Sequence, residues 1–128
     1  YYFPIETISI PDIKGNKANY IYSKTYTGNG KLYGYFNVPG YVSNPPDYVN
    51  DKSMQTFEID VYNKTVKKMN FDGTTGWSCS QCKAGDYMVF GMASTQGTGY
   101  YLYNYKEDKY EPLKIKTEGN PFKIQYLK

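Results

Sequence analysis

Glu58 and Asp60, two positions apart in Phe57-Glu58-Ile59-Asp60-Val61, come nearest in type and spacing to catalytic residues. Side chains at alternate strand positions share a face, which sets the two carboxyl groups about 6–7 Å apart, a separation of the order that glycosidases use for their acid and base. The same spacing serves equally as a solvated face opposite Phe57, Ile59 and Val61, paired across a hairpin with lysines such as Lys67. The chain contains no histidine. It therefore lacks the side chain most used for proton transfer near neutral pH, the usual base of a serine or cysteine triad, and the commonest zinc ligand. The expectation is a non-enzymatic protein, with Glu58 the residue to substitute if an activity is found.

Cys79 and Cys82 form a single Cys-x-x-Cys, Cys79-Ser80-Gln81-Cys82. One such pair supplies two of zinc's four ligands, and a thioredoxin-type role needs the motif at a helix N-terminus, which nothing nearby indicates. A short-range disulfide is expected, with two free thiols as the alternative. Asn63-Lys64-Thr65 matches the Asn-glycosylation sequon at a turn. Asp47, Asn50 and Asp51 offer oxygen atoms in a Pro-rich loop, but their spacing fits no calcium loop. No metal or cofactor is expected.

The most unusual feature is tyrosine, 17 residues of 128. In Tyr20-Ile21-Tyr22-Ser23-Lys24-Thr25-Tyr26, Tyr33-Gly34-Tyr35 and Tyr101-Leu102-Tyr103-Asn104-Tyr105 the rings recur with the period of a strand, so each segment displays a row. A hairpin at Asn29-Gly30 is expected to bring Tyr22 and Tyr26 beside Tyr33 and Tyr35. Covered, such rows are core; exposed, they form an amphipathic platform that stacks on sugar rings and hydrogen-bonds their hydroxyls. Seventeen phenols exceed what one core of this size needs, so some are expected outside. Tyr33, Tyr35, Tyr101, Tyr103, Tyr105 and Trp77, the single tryptophan in a Gly-rich stretch, are the candidate ligand-binding residues.

These rows need strands to hold them. Ala and Leu are scarce while Tyr, Ile, Val, Thr and Phe abound, a composition suited to pleated, half-buried surfaces. Period-two alternation predicts nine strands, at 5–10, 18–27, 31–38, 56–62, 65–71, 86–93, 99–106, 110–116 and 121–127. Asn29-Gly30 predicts a type I′ hairpin, whose central residues both take positive φ. Asn63-Lys64 and Lys106-Glu107-Asp108-Lys109 mark two further turns. Residues 39–55 hold three of the seven prolines and are expected to be a long loop, and 72–79 fits no element clearly.

An internal repeat appears at an offset of 44 residues, which lays Ile59-Asp60-Val61 with Val66 and Met69 over Tyr103-Asn104-Tyr105 with Tyr110 and Leu113. The pattern over residues 30–119 resembles the outer hairpin of a β-propeller blade. Neither a WD dipeptide nor a Kelch double glycine is present, so the resemblance implies no functional residue. The leading fold expectation is one all-β domain, an antiparallel meander of about nine strands closed as a barrel or folded as a sandwich; the alternative is two to three propeller blades. Two or three blades do not close a ring, so the latter demands association of chains or a larger whole.

All 15 basic residues are lysine and the formal charge is +3. Without arginine the bidentate fork to guanine or phosphate is missing, and nucleic acid is not expected as a partner. No segment approaches the roughly 18 apolar residues that span a bilayer. A first residue other than Met points to a processed or excised chain, and a secreted or cell-surface location is expected. The leading function is an extracellular, carbohydrate-binding domain with a Tyr-rich face. The alternatives are a structural or assembly subunit, with homo-oligomerisation, and a barrel carrying a small apolar ligand.

Overall fold

A computed structural model of the chain describes residues 10, 13–47, 49–76 and 78–118. Eight strands form two four-stranded antiparallel sheets in which neighbours in sequence are neighbours in space. The first sheet contains β1 (Tyr20–Gly28), β2 (Lys31–Asn37), β3 (Met54–Asp60) and β4 (Thr65–Lys68). The second contains β5 (Cys79–Ala84), β6 (Tyr87–Ser94), β7 (Gly97–Asn104) and β8 (Lys109–Lys116). All-β architecture is thus as expected, and among the described residues the strands divide between two four-stranded meanders. β1, β4, β5 and β8 each pair on one side only, so no barrel closes among the described residues. The strand expected at 121–127 lies outside the described residues, as does that at 5–10 apart from Ile10, which is buried.

Turn chemistry sets the register. Asn29 and Gly30 have φ of 55° and 76°, the double positive of a type I′ turn, and place Leu32 opposite Tyr26. At the β3–β4 turn the Asp60 carboxylate accepts the backbone N–H of Tyr62 (3.1 Å) and Asn63 (3.0 Å), with Lys64 at φ 56°. The β7–β8 turn repeats this arrangement 44 residues later: the Asn104 amide oxygen accepts from Lys106 and Glu107, both at 3.0 Å, with Asp108 at φ 54°. Each side chain substitutes for the carbonyl that a tight turn lacks.

The register carries this repeat across both sheets. Ile59 faces Leu32 and Val66 on its neighbours, and its counterpart Tyr103 faces Met88 and Tyr110. Glu58 faces Tyr33 and Lys67, and its counterpart Leu102 faces Val89 and Glu111. Tyr33 and Tyr35 of the first sheet share one buried cluster with Met88, Phe90, Met92, Tyr101 and Tyr103 of the second. Phe36, Phe57, Ile59 and Val66, on the other side of the first sheet, are buried instead with Ile10, Ile13, Ala18 and Val38. The face by which the second sheet meets the first therefore corresponds to the face that the first sheet turns away. The two are stacked head to tail, not related by a two-fold.

β5 is the strand that periodicity did not reveal. Its sequence Cys79-Ser80-Gln81-Cys82-Lys83-Ala84 alternates little in hydropathy, yet it pairs along β6 from Cys79↔Met92 to Ala84↔Tyr87. The buried Tyr35 hydroxyl fastens the sheets together, lying 2.9 Å from the Ser80 carbonyl and 3.2 Å from that of Gly91. Residues 39–53 form the expected long connection, with a single 3-10 turn at Pro39–Tyr41. β8 is interrupted: the pairing slips between Tyr100 and Leu102, and Leu113 takes φ 51° beside Pro112.

Candidate functional site

The five described tyrosines of the candidate set come from β2 (Tyr33, Tyr35), β7 (Tyr101, Tyr103) and the residue after β7 (Tyr105). They belong to one string of ring contacts. Tyr105 lies 6.4 Å from Tyr33, Tyr33 5.6 Å from Tyr103, and Tyr103 4.6 Å from Tyr110, measured between centroids. Phe71 continues the string from Tyr110 (5.0 Å) to Tyr101 (5.8 Å) and Phe90 (6.0 Å), and Phe90 meets Tyr35 edge-on at 5.6 Å. Such tilted and edge-to-face pairs are the geometry that the ring quadrupole favours.

Most of this string is core. Tyr35 and Tyr101 are 0% and 1% exposed, and Tyr33 and Tyr103 are buried apart from an edge, so the open platform expected from the rows does not form. The second sheet covers the first sheet's row, which is why. Among the tyrosines of the expected set, only Tyr105 is half-exposed. The expected clustering of Tyr22 and Tyr26 with Tyr33 and Tyr35 also fails. Register shifts between Ile21 and Ser23 and between Tyr26 and Gly28 set Ser23 opposite Tyr35 and Thr25 opposite Tyr33. Tyr22 and Tyr26 are exposed instead, and the Tyr26 hydroxyl accepts the Gly30 N–H at 3.0 Å.

Where the string reaches the surface, the seam between the sheets opens into a cleft of about 320 Å³. Tyr33, Tyr103 and Tyr105 line it together with Lys31, Glu58, Lys67 and Lys106. Glu58 is 9% exposed and fully engaged: it accepts the Tyr33 hydroxyl at 2.9 Å and the Lys31 ammonium at 3.2 Å, with Lys67 at 3.8 Å. Lys31 also reaches Asp60 at 3.1 Å. The carboxylates do share a face, and Lys67 stands across the hairpin as expected, but Glu58 is shielded by the second sheet instead of solvated. Lys83 and Lys106 each place an ammonium 6.0 Å from the Tyr105 ring centre, within reach of a cation–π attraction.

Electrostatics follow from this packing. Burial, then the neighbouring Glu58 charge, pushes the Tyr33 phenol far above its ordinary range. Burial and the hydrogen bond to Asp108 (2.8 Å) do the same for Tyr103. The Asp60 carboxyl is held down at about 2 by the N–H and amide of Asn63 and by Lys31. Burial opposes the charge on Lys31, but Asp60 and Glu58 more than offset it and hold the ammonium above its usual value.

The remaining candidates lie elsewhere. Trp77 is outside the described residues. Cys79 and Cys82 are both free: three apart on one strand, they project to opposite sheet faces at a rise of about 3.3 Å per residue, too far for the expected disulfide. Burial pushes the Cys79 thiol up to about 12. Asn63 is exposed in its turn and its amide donates to Asp60 at 2.8 Å. In the 39–53 connection the Asp51 carboxylate is occupied by donors of its own loop, the N–H groups of Ser43 (2.9 Å) and Asp47 (3.0 Å). Among the described residues no group of three or more cysteines and acids is arranged to hold a metal, and no helix is long and apolar enough to cross a membrane. Lys31 and Phe71 were not singled out in the sequence, and Lys106 and Tyr110 stood out there only as turn and repeat positions. Lys31 had a usable signal, since it follows the Asn29-Gly30 turn and the meander register carries it to Asp60.

Comparison with protein-family models, with curated proteins and with solved structures finds no match to the chain.

Proposed function

We propose that the chain is a non-enzymatic, extracellular binding domain that holds carbohydrate in the cleft where its two sheets meet. The observation that carries the reading is the lining itself: one half-exposed ring, Tyr105, beside a buried carboxylate and three lysines. Tyr105 offers a face for sugar C–H groups, while Lys31, Lys67 and Lys106 donate to hydroxyls. Glu58 acts here as an acceptor and as an anchor for the lysines, not as a proton-transfer group. The test is a glycan array followed by titration calorimetry. Tyr105→Ala is expected to weaken binding at least tenfold, Tyr22→Ala, outside the cleft lining, to leave it unchanged, and Trp77→Ala to report whether the Gly-rich stretch contributes. Silence from the intact chain across the array overturns the reading.

A second reading is favoured by the stacking. Each sheet is a sequential four-stranded meander, the two share a turn 44 residues apart, and they stack head to tail, as successive propeller blades do. We infer that the chain supplies two blade-like repeats of a larger stacked assembly. Its support is the positional correspondence of faces, and the cleft is then a gap between neighbouring repeats. Sedimentation of the full-length polypeptide or its complexes tests this version; a strict monomer with no further sheet overturns it.

A further inference from the structure

We propose that the outward face of the second sheet is a docking surface for a third four-stranded antiparallel sheet of the same repeat. The inference rests on the blade reading but not on carbohydrate binding. Cys82, Val89 and Leu102 stand in one row across β5, β6 and β7 on that face. Tyr87 and Tyr100 flank the row half-exposed, and Ile115 of β8, opposite Tyr100, is 56% exposed. The row corresponds position for position to Thr25, Tyr33 and Glu58 of the first sheet. There Tyr33 and Glu58 are covered, 2% and 9% exposed, because the second sheet lies over them.

The correspondence also specifies the occupant. What covers the first sheet is Met88, Phe90 and Met92 of β6 with Tyr101 and Tyr103 of β7, so the equivalent partner presents aromatic and thioether side chains from the inner strands of an antiparallel sheet. Continuity with an interface already built is the argument, because head-to-tail contacts repeat the same pair of faces at every step. A second copy of this chain offers that surface only on its own first sheet, where Ile10, Ile13 and Ala18 already fill it.

A tandem protein tests the proposal by appending residues 79–118 after Lys128, with Cys79→Ser and Cys82→Ser in the appended copy. Residues 117–128 then bridge the sheets as 69–78 do between β4 and β5. The readout is alkylation of the original Cys82 by N-ethylmaleimide under native conditions, since Cys79 is buried between the sheets. Alkylation is expected to slow at least tenfold relative to the parent chain, and Leu102→Lys in the tandem to restore the parent rate. Unchanged Cys82 reactivity with the added strands folded by circular dichroism overturns the proposal. So does limited proteolysis that trims the tandem back to residue 128, because the same strands fold readily on the first sheet. Two results in the parent chain also overturn it by naming another occupant: a dimer in sedimentation equilibrium that Leu102→Lys abolishes, or faster Cys82 alkylation after deletion of residues 119–128. The glycan titration reads Tyr105 and the cleft, which lie off this face, so the two proposals fail separately.

Discussion

Glu58 carries four relationships at once, to Tyr33, Lys31, Lys67 and, through Lys31, to Asp60. Glu58→Gln keeps an acceptor for the Tyr33 hydroxyl but removes the charge that two ammonium groups face, so stability is expected to fall by about 1–2 kcal/mol in urea unfolding. The Tyr33 phenol should then ionise at lower pH, because the Glu58 charge, the largest cause after burial, is gone; its titration, followed by NMR of labelled tyrosine, checks the assignment. That Glu58 and Asp60 share a strand face was legible from their spacing. That Glu58 is buried was not, because the cover comes from the second sheet, with Tyr103 of β7 beside it, and a single strand's pattern does not say what lies above it.

At the scale of elements, the turns were the most legible part. Asn29-Gly30 is held in a left-handed conformation at both positions, and Gly30→Ala is expected to cost about 1–2 kcal/mol, since a side chain at φ 76° is strained and its Cβ would fall 2.6 Å from the Tyr62 ring. The exposed Tyr62 ring can swing aside, so strain dominates; thermal unfolding measures it. The 44-residue offset aligned Asp60 with Asn104, but that each accepts backbone N–H groups of its own turn is visible only in the structure. The tyrosine row of β1 shares one exposed face as its period predicted, but its cross-strand partners were misassigned for a definite reason: a bulge changes which residue faces which partner, and period-two reading assumes no bulge. β5 was missed because its buried positions are the adjacent Cys79 and Ser80, which give neither alternation nor a large apolar side chain.

For the whole molecule, all-β character was plain from composition, but the division into two sheets was not, since alternation within strands is identical in one meander or two. The interface between the sheets is phenolic, and this gives the folded state a characteristic response to base. Burial raises the pKa of Cys79 above its ordinary 9.0 and of Tyr33, Tyr35, Tyr101, Tyr103 and Tyr110 above 10.0. Groups raised in the folded state contribute stability that is fully present below those ordinary values and is lost as pH climbs beyond them. The urea midpoint is therefore expected to hold to about pH 9 and then to fall, with phenolate absorbance at 295 nm rising cooperatively as the sheets part. The interrupted outer strand has a further effect. β8 bends at Leu113, carries Pro112, and bears Lys109, Lys114 and Lys116, while β4 is only four residues long and contributes Lys67 and Lys68. Neither of these two edges gives a foreign strand a long unbroken backbone to zip onto, so among the described residues any ribbon-like growth is directed to the other two open edges, where β1 offers nine residues and β5 six.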